Sequence, residues 1–156
     1  MNEKKNLRIY IASPLFSQME KEFNLKINNL LQSLGFETYL PQLDGGLCSD
    51  LIKNGMPKKD ARKYIFEKDL EAIKNCDIFL FILDGRVPDE GACVELGIAY
   101  TLGKVCVGFK TDCRSLIDGD DSLMIEGCLQ DIATNFSELK EILQKIRYRF
   151  KRGELK

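Results

Sequence analysis

Histidine is absent from the 156 residues of this chain. Its absence excludes Ser-His-Asp and Cys-His catalysis, histidine-ligated zinc and acid–base chemistry by imidazole. Six cysteines are present, but no two have the C-x-x-C spacing of a zinc knuckle or a thioredoxin-like redox pair. Catalysis must therefore rest on carboxylates, thiols, lysine or tyrosine, and we expect most of the cysteines to be buried thiols.

Long apolar segments and an excess of one charge are also lacking. The longest uninterrupted apolar run, residues 78–83, has six residues, whereas a helix needs roughly 18–20 to cross a bilayer. Residues 1–7 are polar and lack the apolar core of a signal peptide. The 23 basic and 24 acidic residues give a formal net charge of −1, which does not favour nucleic-acid binding. We expect a cytoplasmic protein that binds neither membranes nor nucleic acids.

Short apolar runs alternate with amphipathic segments, an order typical of a parallel sheet covered by helices. We predict an α/β fold, a three-layer Rossmann-like or flavodoxin-like domain with a central, mainly parallel five-stranded sheet. One domain would occupy residues 1–150, with 151–156 as a flexible tail. The predicted strands are 7–12, 36–40, 77–83, 104–109 and 131–134, and the predicted helices are 17–34, 60–75, 91–102 and 137–150.

One segment, residues 42–57, is rich in Gly, Asp, Asn and Ser and is predicted to be a loop. Loops of this length in compact domains are more often functional than idle. We therefore expect it to act as a lid or substrate wall and to set base specificity if the ligand is a nucleoside. A polar loop is likewise predicted over residues 111–121.

Acidic residues follow the predicted strands, at the edge where open α/β sheets bind ligands. Asp44 follows the second strand, Asp84 and Asp89 follow the third, and Glu95 lies in the first turns of the next helix. Asp69, on the preceding helix, reaches the same edge only if that helix is suitably oriented. Neither G-x-G-x-x-G nor G-x-x-x-x-G-K-[ST] accompanies these residues, so dinucleotide-binding and P-loop functions lack their main support.

Glu95 is the candidate nucleophile. Near a helix N-terminus, unpaired N–H groups and the helix dipole would keep its carboxylate ionised. Taken singly, the three acidic residues have simpler explanations: Glu95 as a first-turn glutamate, Asp89 as an N-cap or turn residue, and Asp69 as a solvated helix charge.

Several motifs occur together: YIASPLF at residues 10–16, Asp69-Leu70 followed by Asp77, then Asp89 and an E-L-G-x-A-Y sequence that begins at Glu95. In this order and at these distances they resemble the nucleoside 2-deoxyribosyltransferase family over residues 8–143. The resemblance implies a Rossmann-like fold and exchange of the purine or pyrimidine base of 2′-deoxyribonucleosides, a nucleotide-salvage reaction. It also implies a homo-oligomer whose subunits complete each other's pockets.

The resemblance assigns roles to individual residues. Glu95 matches the nucleophile that attacks the anomeric carbon, and Asp69 and Asp89 match acidic residues that contact base and sugar. Three further residues match substrate-binding positions: Tyr10 orients the nucleophile, Gln42 recognises the base, and Phe16 forms an aromatic wall. Met124 matches a residue that the neighbouring subunit contributes to the pocket. Ser122 stands where the family has an Asn that binds the sugar 5′-hydroxyl from that subunit.

This chemistry is consistent with the composition. Base exchange with retained configuration takes two displacements, in which one carboxylate holds the sugar covalently and a second, protonated carboxyl group assists the leaving base. Two or three carboxylates suffice, so we expect no metal and no cofactor.

Three alternatives remain. A 2′-deoxynucleoside 5′-phosphate N-hydrolase shares the E-L-G glutamate, but Asp89 stands where those enzymes have Ser and would repel a phosphate dianion. A non-catalytic nucleotide-binding module would have no reason to keep Glu95, Asp69, Asp89 and Tyr10 together. A response-regulator fold would need an acidic pair after the first strand, which is missing.

Overall fold

A five-stranded sheet lies at the centre of the computed structural model, which describes residues 6–114 and 121–155. Its strands are Arg8–Ala12 (β1), Glu37–Tyr39 (β2), Ile78–Ile82 (β3), Val105–Phe109 (β4) and Asp131–Ala133 (β5). They pair in the order β2-β1-β3-β4-β5, and every pairing within the described chain is parallel. The predicted α/β fold with five strands is confirmed, and the sheet is parallel throughout.

Six α-helices are found in the described residues. They are Gln18–Ser33 (α1), Cys48–Lys53 (α2), Lys58–Asn75 (α3), Glu90–Thr101 (α4), Leu123–Glu126 (α5) and Phe136–Lys151 (α6). None of the described helices is both long and apolar enough to cross a membrane.

The alternation of side chains along the central strands builds two separate cores. On β3, Ile78, Leu80 and Ile82 face α1 and α6, whereas Phe79 and Phe81 face α3 and α4. All five residues of β3 are buried, as expected for a parallel strand covered on both faces. This arrangement leaves α3 and α4 side by side on one face, where the candidate site lies.

The prediction of a loop over residues 42–57 is wrong, because most of this segment is helical. The structure has a single π-helical turn at Pro41–Gly45 and then α2, which packs against α3. Gly46 and Gly55 flank α2 with φ values of 88° and 94°, a region that favours glycine. Because α2 is one and a half turns long and buries no residue, it has no hydrophobic periodicity that would reveal it in the sequence.

The N-terminus of α6 also differs from the sequence analysis. The helix begins at Phe136 rather than at residue 137, and Asn135 is its N-cap. The Asn135 side-chain oxygen accepts hydrogen bonds from the backbone N–H groups of Ser137 and Glu138, both at 3.0 Å. At the C-terminus, Leu155 packs against the core and Glu154 pairs with Arg152. Residues 115–120 of the predicted loop at 111–121, and Lys156 of the predicted tail, lie outside the described residues.

Candidate active site

Glu95 is held by a buried tyrosine. It lies in the second turn of α4, and its Oε1 accepts a hydrogen bond of 2.9 Å from the Tyr10 hydroxyl. Tyr10 is fully buried in β1 and its ring stacks between those of Tyr39 and Phe79, with centroid distances of 5.3 and 5.5 Å. Because the ring is held on both sides, its hydroxyl is fixed on Glu95.

Asp69 is held in the same way by a second tyrosine. The Tyr39 hydroxyl donates a hydrogen bond of 2.8 Å to Asp69 Oδ1. Tyr39 and Tyr10 are register partners on the parallel strands β2 and β1, so their rings lie on one face and stack at an interplanar angle of 14°. The result is two parallel tyrosine–carboxylate pairs, Tyr10–Glu95 and Tyr39–Asp69.

Both carboxyl groups line one cavity between α3 and α4. Its volume is about 270 Å³, and the rest of its wall is mainly apolar, formed by Phe66, Leu70, Ile73, Gly91, Val94 and Ile98. An apolar cavity with a few convergent polar groups is typical of a small-molecule site. The orientation of α3 therefore brings Asp69 to Glu95, as the sequence analysis required.

Burial controls the charge of Glu95. The pKa of Glu95 is raised from its ordinary value of 4.5 to about 7, mainly by desolvation. The Tyr10 hydrogen bond opposes this rise, and the charges of Asp69 and Asp89 add to it. This differs from the expectation that the helix dipole keeps the group ionised. Glu95 lies beyond the first turn, and the outcome is a carboxyl group that exchanges its proton near neutral pH.

Asp69 is shifted in the same direction. Burial raises its pKa, while the hydrogen bond from Tyr39 and the charge of Lys68 lower it. Desolvation also raises the pKa of both tyrosines, so Tyr10 and Tyr39 keep their protons and act as hydrogen-bond donors. Neighbouring carboxyl groups with raised pKa values are common in catalytic sites.

Asp89 is the N-cap of α4, where its Oδ2 accepts a hydrogen bond of 2.8 Å from the backbone N–H of Ala92. It also lines a second cavity, of about 470 Å³, together with Phe16, Val87 and Pro88. Gly91 lines both cavities, so this cavity adjoins the one that contains Glu95. Phe16 is 78% exposed and forms an open aromatic wall.

The other three predicted residues do not line these two cavities. Gln42 is hydrogen-bonded to α1: its Oε1 accepts from Asn24 Nδ2 at 2.9 Å, and its Nε2 donates to the carbonyl oxygen of Lys21 at 3.1 Å. Ser122 precedes α5 without a capping hydrogen bond, and Met124 is 72% exposed. Among the residues that the structure describes, no group of three or more acidic or cysteine side chains is arranged to hold a metal ion.

A sequence model described as "Nucleoside 2-deoxyribosyltransferase" matches residues 9–142 of the chain. The protein belongs to the nucleoside 2-deoxyribosyltransferase family. The match covers both tyrosine–carboxylate pairs. A comparison with curated protein sequences found no match.

Solved structures agree with this family membership. A 2-deoxyribosyltransferase from Bacillus psychrosaccharolyticus is 27% identical, with a TM-score of 0.70 over 85% of this chain and 89% of that one. A conserved protein from Enterococcus faecalis V583 is 25% identical, with a TM-score of 0.75 over 90% and 99%. A CMP N-glycosidase from Clostridium botulinum is 18% identical, with a TM-score of 0.57 over 88% and 98%, and this likeness concerns the fold alone.

The sequence analysis missed two residues that support the candidate site in this member of the deoxyribosyltransferase family. Tyr39 lies beside Tyr10 only because of the register in which β1 and β2 pair, and this register could not be predicted from the sequence. Asn24 is buried on α1 and donates to both Gln42 and the carbonyl oxygen of Pro14, at 2.9 Å each. In the sequence, the one sign of this role was an Asn on the apolar face of a predicted helix, where a buried polar side chain needs hydrogen-bond partners.

Proposed function

We propose that the protein transfers 2-deoxyribose from one nucleobase to another, with Glu95 as the nucleophile of a double displacement. The family membership supports the general reaction. The observation that carries the proposal is the pair of carboxyl groups, Glu95 and Asp69, that line one cavity while a tyrosine hydroxyl holds each of them.

In the first displacement, a carboxylate oxygen of Glu95 attacks C1′ of a 2′-deoxyribonucleoside and the N-glycosidic bond breaks. The electron pair of that bond leaves with the base, which takes a proton from Asp69. The sugar is then an ester of Glu95. The step needs Glu95 ionised and Asp69 protonated, so the two carboxyl groups together hold one proton. Burial raises the pKa of both groups, which favours the retention of that proton.

In the second displacement, a ring nitrogen of the incoming base attacks C1′ and the ester bond to Glu95 breaks. The proton that this nitrogen loses returns to Asp69, so the enzyme recovers its starting state. Each displacement inverts C1′, and two inversions retain the configuration. In this scheme, carboxyl groups carry out every transfer of sugar and proton.

Asp89 and Phe16 are proposed to bind the nucleoside in the adjoining cavity. Asp89 uses Oδ2 to cap α4, which leaves Oδ1 to accept a hydrogen bond from a sugar hydroxyl. Phe16 is an open aromatic surface against which a base or sugar can pack. Because an Asp89 carboxylate repels a phosphate dianion, we propose free nucleosides rather than nucleotides as substrates.

The remaining predicted residues are given indirect roles. We propose that Gln42 supports the wall of the site, because both ends of its amide are bonded to α1. Ser122 and the exposed Met124 are proposed to reach the pocket of a neighbouring subunit in a homo-oligomer.

The test is an exchange assay. The purified protein is incubated with 2′-deoxyinosine and free adenine, and the products are separated by chromatography. We expect 2′-deoxyadenosine to form with the wild type and to be lost with Glu95→Gln, which keeps the size of the side chain. Hypoxanthine released without 2′-deoxyadenosine, or base release from deoxynucleotides alone, would indicate a hydrolase instead.

A further inference from the structure

Tyr39 is the least explained member of the two tyrosine–carboxylate pairs, because it contacts neither Glu95 nor, in the scheme above, the substrate. We propose that Tyr39 is the positioning residue of Asp69: it holds that carboxyl group at the cavity wall and directs its proton to the leaving base. This inference rests on the proposed function.

The geometry fixes Asp69 from two directions. On one side, the Tyr39 hydroxyl donates to Oδ1 at 2.8 Å. On another, the backbone of Gly45 approaches so closely that a Cβ atom at this position would lie 3.1 Å from Asp69 Oδ1 and 3.6 Å from the Tyr39 hydroxyl. The π-helical turn therefore lies directly against the pair, on the side of Asp69 Oδ1 and the Tyr39 hydroxyl.

That turn is itself anchored. Asp44 Oδ2 accepts a hydrogen bond of 2.8 Å from the backbone N–H of Leu40, and Gln42 is tied to Asn24 on α1. The placement of Asp69 thus depends on contacts that reach from α1 through the turn to β2.

The hydrogen bond also selects which oxygen of Asp69 can deliver a proton. Since Tyr39 keeps its own proton, Oδ1 acts as an acceptor and the acidic proton of Asp69 resides on Oδ2. No other hydrogen bond to Asp69 occurs among the described residues. Oδ2 is therefore the oxygen that gives its proton to the departing base and takes it back from the incoming one.

The other titratable groups near the Tyr39–Asp69 pair are the same in the wild type and in a Tyr39→Phe variant. They are Lys68 on α3, Glu95 on α4, Tyr10 on β1 and Asp44 in the turn. Tyr39→Phe leaves all of them in place and keeps the ring that stacks on Tyr10. The variant therefore isolates the hydroxyl group.

The experiment compares the wild type with Tyr39→Phe, Asp69→Asn and the double variant in the exchange assay. Tyr148→Phe on α6, whose hydroxyl makes no hydrogen bond in the described chain, is the matched control and should keep wild-type activity. We expect Tyr39→Phe to lower kcat roughly tenfold with a smaller change in KM, which corresponds to one lost charge-assisted hydrogen bond. In the Asp69→Asn background the same change should lower kcat less than about twofold, because the two residues act as one unit.

The pH profile separates positioning from structural support. Asp69 acts as an acid, so kcat falls as pH rises through its pKa; loss of the Tyr39 hydrogen bond raises that pKa and moves the fall to higher pH. A merely structural role would lower the rate without moving the fall. Equal fold-losses from Tyr39→Phe in both backgrounds, or an unmoved pH profile, would overturn the inference.

A second readout does not depend on turnover. Titration of the Asp69 carboxyl carbon by ¹³C NMR should give a higher pKa in Tyr39→Phe than in the wild type, and an unchanged one in Tyr148→Phe. If the wild type exchanges no base, the proposed function fails, yet this titration still tests the contact. An Asp69 titration that is the same in Tyr39→Phe and wild type would overturn the inference by itself.

Discussion

At Glu95, burial and hydrogen bonding act in opposite directions on one carboxyl group. Burial favours the neutral acid and Tyr10 favours the carboxylate, and the balance brings the pKa to about 7. In the proposed mechanism, a Glu95 nucleophile with this pKa is about half ionised at neutral pH and can still leave C1′ in the second displacement. The charge of a single residue in the site is therefore set by the balance between the loss of hydration and the hydrogen bonds that the residue accepts.

The pH dependence of stability should reveal the buried acid. Because the folded-state pKa of Glu95 lies above 4.5, the folded protein binds more protons than the unfolded chain between about pH 4.5 and 7, so the free energy of unfolding decreases as pH rises through this window. The decrease amounts to roughly 3 kcal/mol.

Glu95→Gln removes this titration. We expect urea unfolding at pH 5 and pH 8 to show a smaller loss of stability for the variant than for the wild type. The variant should be at least as stable as the wild type at pH 8, where the wild type buries a charge. Identical changes between the two pH values in both proteins would contradict the burial argument.

Tyr10→Phe tests the opposing contact. The proposed exchange needs ionised Glu95, so kcat/KM should rise with pH through the pKa of that group. Removal of the hydrogen bond raises this pKa further and should shift the rise to higher pH. The measurement is the pH profile of kcat/KM for both proteins, and a rise at the wild-type position in Tyr10→Phe would argue against the role of Tyr10.

Among the elements, α1 and the turns after β1 and β2 are joined through one side chain. Asn24 is 1% exposed and donates to the carbonyl oxygen of Pro14 and to Gln42. Asn24→Ala leaves two acceptors without their donor and should lower the free energy of unfolding by roughly 1–3 kcal/mol. Asn29→Ala, an exposed change on the same helix, should alter it by less than about 0.5 kcal/mol.

Unfolding in urea measures both variants. Because Asn24 also anchors the turn over Asp69, Asn24→Ala should lower base exchange more than Asn29→Ala does at a temperature where both are folded. If the two variants had equal stability and equal exchange rates, Asn24 would have no role in supporting the site.

Substitution by alanine is expected to have opposite effects on stability at two glycines, one in β4 and one in α4. Gly108 in β4 has no space for a side chain, since an added Cβ atom would lie 2.8 Å from Leu83 Cδ1 and 2.9 Å from Leu129 Cδ1. Gly108→Ala should therefore cost about 1–3 kcal/mol of stability. Gly97 in α4 faces open space, and Gly97→Ala should stabilise the protein by about 0.5–1 kcal/mol.

The midpoints of urea unfolding compare the two variants directly. A stabilised Gly108→Ala would show that the leucines yield without cost, and a destabilised Gly97→Ala would show that α4 needs its glycine for another reason.

For the whole molecule, the sequence predicted what depends on hydrophobic pattern. Five strands, their parallel arrangement and the carboxylates at their ends follow from apolar runs and connection lengths. Tyr39 and Asn24 depend instead on which residues of distant segments become neighbours. The register that pairs Tyr10 with Tyr39 and the turn that engages Asn24 are set by packing, which local pattern does not encode.

The segment at residues 42–57 shows the same limit. Its glycines indicated turns, but α2 is stabilised by its contact with α3 rather than by an apolar face of its own. The Gln42 side chain, predicted to recognise the nucleobase, is hydrogen-bonded to Asn24 and to the carbonyl oxygen of Lys21 on α1. Residue types could be read from the sequence at these positions, whereas their partners required the fold.

The proposed covalent bond between the sugar and Glu95 can be detected by trapping the intermediate. The wild type is mixed with 2′-deoxyinosine without an acceptor base, quenched in acid within milliseconds, and analysed by peptide mass spectrometry, with Glu95→Gln as the control. We expect the peptide that contains Glu95 to gain the mass of one deoxyribosyl group. The gain should be absent from the control and should disappear when adenine is added before the quench. Base exchange that proceeds in the Glu95→Gln variant, or a deoxyribosyl group found on another residue, would contradict it.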